Sequence, residues 1–290
     1  MTALLSLLER LKKDVTAVST GGVPKYLQFL PFSKRISIRL LPASVFDAVF
    51  ILDCPNWGRT GISKNLQALS KSVIKIDHHK DNAFSADVNL TDASASSAAE
   101  LIYMIFLRLK MKPTREEASS LYTGIVTDTY NFTQLNTTSQ SHIVASDLLA
   151  FGVNQYEINK NVYGSYPVSV LKLRGAALSS IKTTANGKVS YISLSLKDFD
   201  KTKTTAEDTE GIINFAGMIP GVEVWILFKE MPSGKNVKVG LRSVSYVDVN
   251  KIAAFFGGGG HKNAAGCVVP GDIASVTRRV VSYIERCLKK

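Results

Sequence analysis

The sequence predicts an α/β protein: a mostly parallel, doubly wound sheet followed by a smaller α+β domain. Two apolar runs ending in acids, "AVFILD" and "VIKIDHH", alternate with helix-length segments in the first half. Continuous apolar runs of that kind suit parallel strands covered on both faces. Beyond about residue 185 the pattern changes to alternating strands joined by short turns. The chain has 290 residues, 45% hydrophobic and 20% charged, enough for two cores of ordinary size.

The start, "MTALLSLLERLKKDV", reads as an amphipathic helix, with Glu9, Arg10, Lys12 and Lys13 in its second half and no small-residue cleavage site. "RISIRLLPASVFDAVFILD" (35–53) is β-branched and apolar around Pro42 and ends in a buried strand. A helix is expected near 62–70, then a second strand at "SVIKI". "ASASSAAELIYMIFLRLK" (93–110) predicts a helix with serine hydroxyls to cap its first N–H groups. Thr114, with Glu117 three residues on, forms a capping box opening the helix 114–128. The next helix, about 138–150, is closed by Gly152. "YPVSVLKLRGAALSSIKTT" (166–184) is helical, and strands follow at 188–196, 222–231 and 235–243, the last two joined by "PSGK". Helices are expected around 205–217, 248–256 and 272–288. This divides the chain into a first domain at 1–160, a helical connector at 161–185 and a second domain at 186–290.

Composition narrows the function. Lys and Arg number 35 against 24 Asp and Glu, a net charge of +11, which suits a polyanionic partner as well as plain solubility. Three cysteines, Cys54, Cys267 and Cys287, form no disulfide framework, which points to a reducing cytoplasm. No stretch approaches the roughly 18 apolar residues of a membrane span.

The chemistry concentrates at strand ends, where open parallel sheets collect ligands. Asp53 closes one strand; Asp77, His78 and His79 close the next; Asp128 ends a helix that can reach the same crevice. Carboxylates with imidazole suit Mn²⁺, or Mg²⁺, better than a structural zinc, which favours thiolates. An aspartate beside an imidazole can accept its N–H and fix the tautomer. Each residue alone has an ordinary explanation as cap or surface group, and His142 keeps that explanation. Three acids and two histidines at neighbouring element ends do not.

A second constellation is "FFGGGGHKNAAGC" (255–267), whose glycine run reads as a loop. Gly258, Gly259 and Gly260 permit close backbone approach and can present N–H groups to an anion. His261 follows directly, and Arg242 ends a nearby strand, where a guanidinium can take a phosphate bidentately.

"ILD" at Asp53, "IDHH" (76–79), "TGIVTDTYNF" (123–132), "EDTEGIIN" (207–214), "VKVGLRS" and "FGGGGHKNAAGC" together resemble the DHH phosphoesterases joined to a DHH-associated C-terminal domain. The likeness leans towards the branch of bifunctional oligoribonucleases and 3′-phosphoadenosine-5′-phosphate phosphatases. It implies that Asp53, His78 and Asp128 bind metal, with Asp53 bridging two ions, and that His79 contacts the scissile phosphate. Asp77 joins His79 in the catalytic group. Arg242, the glycine run and His261 would hold the nucleotide. The implied reaction is in-line hydrolysis of a phosphodiester or phosphomonoester by water activated at two Mn²⁺ ions about 3.5–4 Å apart.

The resemblance also implies a first strand with a His-x-x-x-Asp-x-Asp motif. No histidine precedes His78, and the acids before Asp77 are Glu9, Asp14, Asp47 and Asp53. A truncated or mis-started chain is the favoured expectation, with weak activity; a degenerate, non-catalytic nucleotide- or RNA-binding protein is the rival. Within the enzyme class, a cyclic-dinucleotide phosphodiesterase is the alternative to an enzyme of short oligonucleotides or 3′,5′-bisphosphorylated nucleosides. A long-strand exonuclease lacks room for an added nucleic-acid-binding fold, and a family II pyrophosphatase would not be expected to carry the glycine run. The expected partners are short RNA or DNA oligonucleotides or nucleotides, with no membrane and with a homodimer left open.

Overall fold

In the computed structural model, residues 1–40, 45–54, 56–62, 66–79, 86–244 and 246–288 are described. The chain divides into two compact units, Met1–Ser165 and Tyr166–Lys290.

The first unit opens with helix α1 (Thr2–Arg10) and two short parallel strands, β1 (Ala17–Val18) and β2 (Ile36–Ser37). Strands β3 (Val49–Leu52), β4 (Val73–Asp77) and β5 (Val88–Thr91) form a second parallel sheet in that order. Helices α2 (Ala98–Arg108), α3 (Arg115–Asp128), α4 (Ser139–Ala150) and α5 (Gln155–Asn159) follow.

Strand β4 shows why its apolar run is unbroken. Ile76 packs into the helical core with Leu4, Leu7, Phe106, Leu121 and Leu148. Val73, on the opposite face, joins a smaller cluster with Ile51, Cys54 and Ala86. Both faces are covered, so neither needs polar residues. Each leucine or isoleucine buried this way contributes about 1.5–3 kcal/mol.

Helix α1 is fastened to α3 by a buried carboxylate. The capping box forms as the sequence predicts: Glu117 N donates to Thr114 Oγ1 at 3.2 Å, and Thr114 N donates to Glu117 Oε2 at 2.7 Å. Glu117 also accepts from Ser6 Oγ at 2.8 Å and from the Arg10 guanidinium at 2.6 Å. Its side chain is 0% exposed, so all this capacity is used away from water.

The second unit contains α6 (Val168–Ser179), β6 (Lys182–Thr183), β7 (Val189–Leu194), α7 (Leu196–Thr202) and α8 (Ile212–Gly217). It continues through β8 (Val224–Glu230), β9 (Asn236–Ser243), α9 (Val249–Phe255), β10 (Gly259–His261), β11 (Ala264–Pro270) and α10 (Ile273–Leu288). Its sheet runs β10-β11-β9-β8-β7-β6, with only β7 and β8 parallel. One face packs Val224, Ile226, Phe228, Val237 and Val239 against Ile252 of α9 and Val276, Val280 and Ile284 of α10. The other packs Ile192, Leu194 and Leu227 against Leu173 of α6 and Ile212 of α8.

Three expectations change. Residues 161–185 are not a free-standing connector: the unit boundary falls at 165/166, and α6 buries Leu173 and Ala177 in the second unit's core. The helix expected at 62–70 is a 3₁₀ turn, Leu66–Leu69, with residues 63–65 outside the described set. The second half of the glycine run is a strand rather than a loop, because Gly259, Gly260 and His261 pair with Gly266, Ala265 and Ala264.

Replacing Glu117 with alanine leaves the Ser6 hydroxyl, the Thr114 N–H and Arg10 without their shared acceptor. Urea unfolding is expected to show a loss of about 1–3 kcal/mol, the scale of leaving the partners of a buried acceptor unsatisfied. A loss under about 0.5 kcal/mol, typical of a surface substitution, would contradict this fastening.

Candidate functional site

Parallel pairing sets Leu52 opposite Ile76, and the Asp53 N–H continues the ladder to Ile76 O at 2.9 Å. Asp53 and the residues after β4 therefore emerge side by side. Asp53 adopts a left-handed backbone, φ 56°. That conformation costs a non-glycine residue on the order of 1–2 kcal/mol, least for Asn and Asp, and such strain collects at functional positions.

Donor atoms of Asp53, His78 and His79 lie within 4.8 Å of one another, the candidate cation cluster among the described residues. His78 Nε2 is 3.3 Å from Asp53 Oδ1 and 3.8 Å from Asp128 Oδ2. His78 Nδ1 lies 3.3 Å from the Ala95 carbonyl oxygen. A carbonyl only accepts, so Nδ1 carries a proton, and Nε2 faces the carboxylates, donating to Asp53 Oδ1 when protonated and open to a cation when not. Asp128 closes α3 at its negative end, where a carboxylate is unfavourable and the helix's last turn carries no basic residue.

His79 is held from behind. Its Nδ1 lies 2.6 Å from Asp77 Oδ1, and its backbone N–H donates to the same oxygen at 3.2 Å. Asp77 in turn faces Lys75 Nζ at 3.3 Å, with both side chains 0% exposed. The sequence reading missed Lys75; its place two residues before Asp77, on the same strand face, is the signal that could have found it. It also missed Asn136, whose Nδ2 donates to Ser96 O at 2.8 Å and Asp128 O at 3.1 Å. Asn136 thus ties the end of α3 to the segment whose Ala95 carbonyl holds His78. His142 stacks on Phe132 with ring centroids 4.8 Å apart, a packing role.

The electrostatics follow from this crowding. Burial, with the Asp53 charge, raises the Asp128 carboxyl to about 6 despite both histidines. Burial pushes the Asp53 carboxyl up, but the hydrogen bond and charge of His78, with the His79 charge, bring it below its ordinary value. Burial would lower His78, but Asp53 and Asp128 together raise it. Asp77, pushed up by burial, is brought below its ordinary value by its bonds to His79. Two carboxylates and imidazole nitrogens gathered this closely form a donor set that fits a divalent cation.

In the second unit, β10, β11 and β9 bring His261, Ala264 and Arg242 into one register row, so their side chains share a sheet face. Burial lowers the Arg242 pKa, with Glu210 opposing. A Cβ at Gly258 would stand 2.2 Å from Gly266 O, and one at Gly260, φ 155°, 2.5 Å from Ala264 O. These two glycines are thus required by the β10–β11 hairpin itself. Gly259, between them, is exposed on the row beside His261.

Residues 1–125 match the family model "DHH family, N-terminal domain", and residues 186–290 match "DHHA1 domain". A Streptococcus mutans protein named "Probable bifunctional oligoribonuclease and PAP phosphatase NrnA" is 34% identical over 218 residues, 75% of this chain and 68% of that protein. The chain belongs to the DHH family.

A Thermus thermophilus protein, "Bifunctional oligoribonuclease and PAP phosphatase NrnA", is 29% identical over 271 residues, 92% of this chain and 79% of its own. The crystal structure of an exopolyphosphatase-related protein from Bacteroides fragilis superposes with TM-score 0.89 at 27% identity, covering 99% of this chain and 88% of that one. A putative family II inorganic pyrophosphatase from Methanococcus jannaschii shares the fold, with TM-score 0.50 at 16% identity over 93% and 90% of the two chains. No helix among the described residues is long and apolar enough to cross a membrane.

Two outcomes follow from this geometry. His78→Ala should weaken Mn²⁺ binding in calorimetry by at least the 10–100-fold that loss of a ligand's supporting partner costs. Unchanged affinity would remove His78 from the metal site. Asp128 and His78 both hold protons more tightly folded than unfolded, from 3.8 to about 6 and from 6.5 upward respectively. The metal-free protein should therefore lose stability as pH rises from about 4 through about 7. Asp128→Asn should flatten the lower part of that fall in thermal melts with chelator; an unchanged slope would contradict the assignment.

Proposed function

We propose that the protein is a metal-dependent phosphoesterase that hydrolyses short oligoribonucleotides and 3′,5′-bisphosphorylated nucleosides, with Mn²⁺ as its cation. The observation that carries this reading is the convergence of Asp53, His78, His79 and Asp128, with the His78 tautomer set by Ala95 O. The relatives named for oligoribonuclease and PAP phosphatase activity support the substrate class.

Each residue has a task its surroundings allow. Asp53, His78 and Asp128 would hold the cation, which when bound polarises a phosphoryl oxygen and lowers the pKa of water. His79, its Nδ1–H fixed by Asp77, presents its ring to the scissile phosphate. Asp77 keeps that tautomer and stabilises positive charge on the ring as charge develops on the phosphate. Lys75 balances Asp77 inside the protein, so the carboxylate is not stranded without a counter-charge. Arg242 and His261, on one face of the second sheet, take a substrate phosphate; the +11 net charge draws such ligands in.

The test is release of AMP from pApA and from 3′,5′-bisphosphoadenosine, with Mn²⁺ and with chelator. Mn²⁺-dependent release, lost in Asp53→Asn, supports the reading; binding of both ligands without any release would favour a non-catalytic nucleotide-binding protein. Arg242→Ala and His261→Ala should each raise KM about tenfold to a hundredfold with smaller change in kcat, the equivalent of one charge-assisted hydrogen bond. Parent-like KM in both would exclude that face from substrate capture.

A further inference from the structure

The second unit carries another feature, on the face of its sheet opposite Arg242. Helices α9 and α10 cover that face, and a groove of about 580 Å³ lies between them. Its walls are Phe255, Phe256 and Tyr283, with Arg278, Arg279 and Arg286 around them. Phe255 stacks on Tyr283 with centroids 4.1 Å apart and planes 15° from parallel, and Phe256 meets the same ring edge-on. Phe255 is nevertheless 63% exposed, an aromatic whose packing in the chain is half finished.

Charge says what would finish it. The groove has three guanidiniums against one carboxylate, Glu285. Arg279, Tyr283 and Arg286 recur at helical spacing on one stripe of α10, and the Arg286 guanidinium lies 5.9 Å from the Tyr283 ring centroid. Aromatic faces ringed by cations are the recurring chemistry of single-stranded nucleic-acid binding: rings stack bases, guanidiniums take phosphates, and no particular base is required. An apolar partner would not need the arginines, and the like charges would oppose a second copy of the same stripe.

We propose that the α9–α10 groove is a binding site for single-stranded RNA, distinct from the face bearing Arg242 and His261. A base extends the Phe255–Tyr283 stack, and neighbouring phosphates lie against Arg278 and Arg286. The choice of RNA rests on the proposed oligoribonuclease function; the groove's stacking and charge do not. The site favours oligonucleotides too long to be held on one sheet face alone.

The test uses the full chain with chelator, so that binding is read without hydrolysis. Anisotropy of a labelled 12-nucleotide oligo(A) is compared for the parent, Phe255→Ala, Phe255→Trp and the double variant Arg278→Glu/Arg286→Glu. The double variant should bind the 12-mer at least tenfold more weakly, with a shallower salt dependence, by about 0.7 in log–log slope for each phosphate no longer neutralised. Phe255→Ala should lose about fivefold or more. Phe255→Trp should bind like the parent, and the introduced indole's fluorescence should be quenched by the 12-mer. Turnover of pApA, measured separately with Mn²⁺, should be unchanged in all variants; absence of turnover in the parent would count against the enzymatic reading alone. Parent-like 12-mer binding by folded Phe255→Ala and by the folded double variant, or an unquenched indole in Phe255→Trp, overturns the proposal. So does a change from dimer to monomer in sedimentation without loss of RNA affinity, which would make the groove an interface between copies.

Discussion

Everything at the candidate metal centre depends on the register of two parallel strands. With Leu52 opposite Ile76, Asp53 leaves β3 where His78 and His79 leave β4. Side chains alternate along a strand, so a slip of one residue would turn β4 over. Asp77 and Lys75 would then face the helices and Ile76 the smaller cluster. Burial of both faces penalises that slip, so the hydrophobic core is what aims the polar residues. The left-handed turn at Asp53 and the carboxylate at the end of α3 are local departures from preference that this core sustains.

Behind the residues that would touch metal or phosphate stands a layer that only holds. Ala95 O orients His78, Asp77 orients His79, Lys75 balances Asp77, and Asn136 ties Asp128 to the Ala95 segment. The raised Asp128 carboxyl marks the cost of gathering like charges in a partly buried place. A divalent cation would relieve that cost by replacing the shared protons. The same crowding expected to destabilise the metal-free protein as pH rises would therefore favour binding of a cation.

Much of this was legible in the sequence, for identifiable reasons. Unbroken apolar runs located β3 and β4 because both faces are covered, and Thr114 with Glu117 marked the start of α3. The acid and histidine positions could be read because hydrophobic strands end abruptly in them. What was missed depends on partners distant in sequence. β5 is short and exposed at the sheet edge, so its Val88 and Leu90 follow no burial pattern. The glycine run read as a loop because glycine disfavours strands in isolation; in the fold it pairs along β11, where Gly258 and Gly260 are the residues small enough to fit. Residues 161–185 read as a connector because only the finished core shows where Leu173 and Ala177 go.

The central claim is that the imidazole of His78 joins Asp53 and Asp128 around one divalent cation, while His79 stands beside it for the phosphate. Electron spin-echo spectroscopy of the protein with one equivalent of Mn²⁺ tests it directly, because nitrogen bound to Mn²⁺ modulates the echo. The structure predicts imidazole-nitrogen modulation in the parent protein, kept in His79→Ala and lost in His78→Ala. A parent spectrum showing only water and carboxylate around Mn²⁺, with no nitrogen coupling, would contradict it.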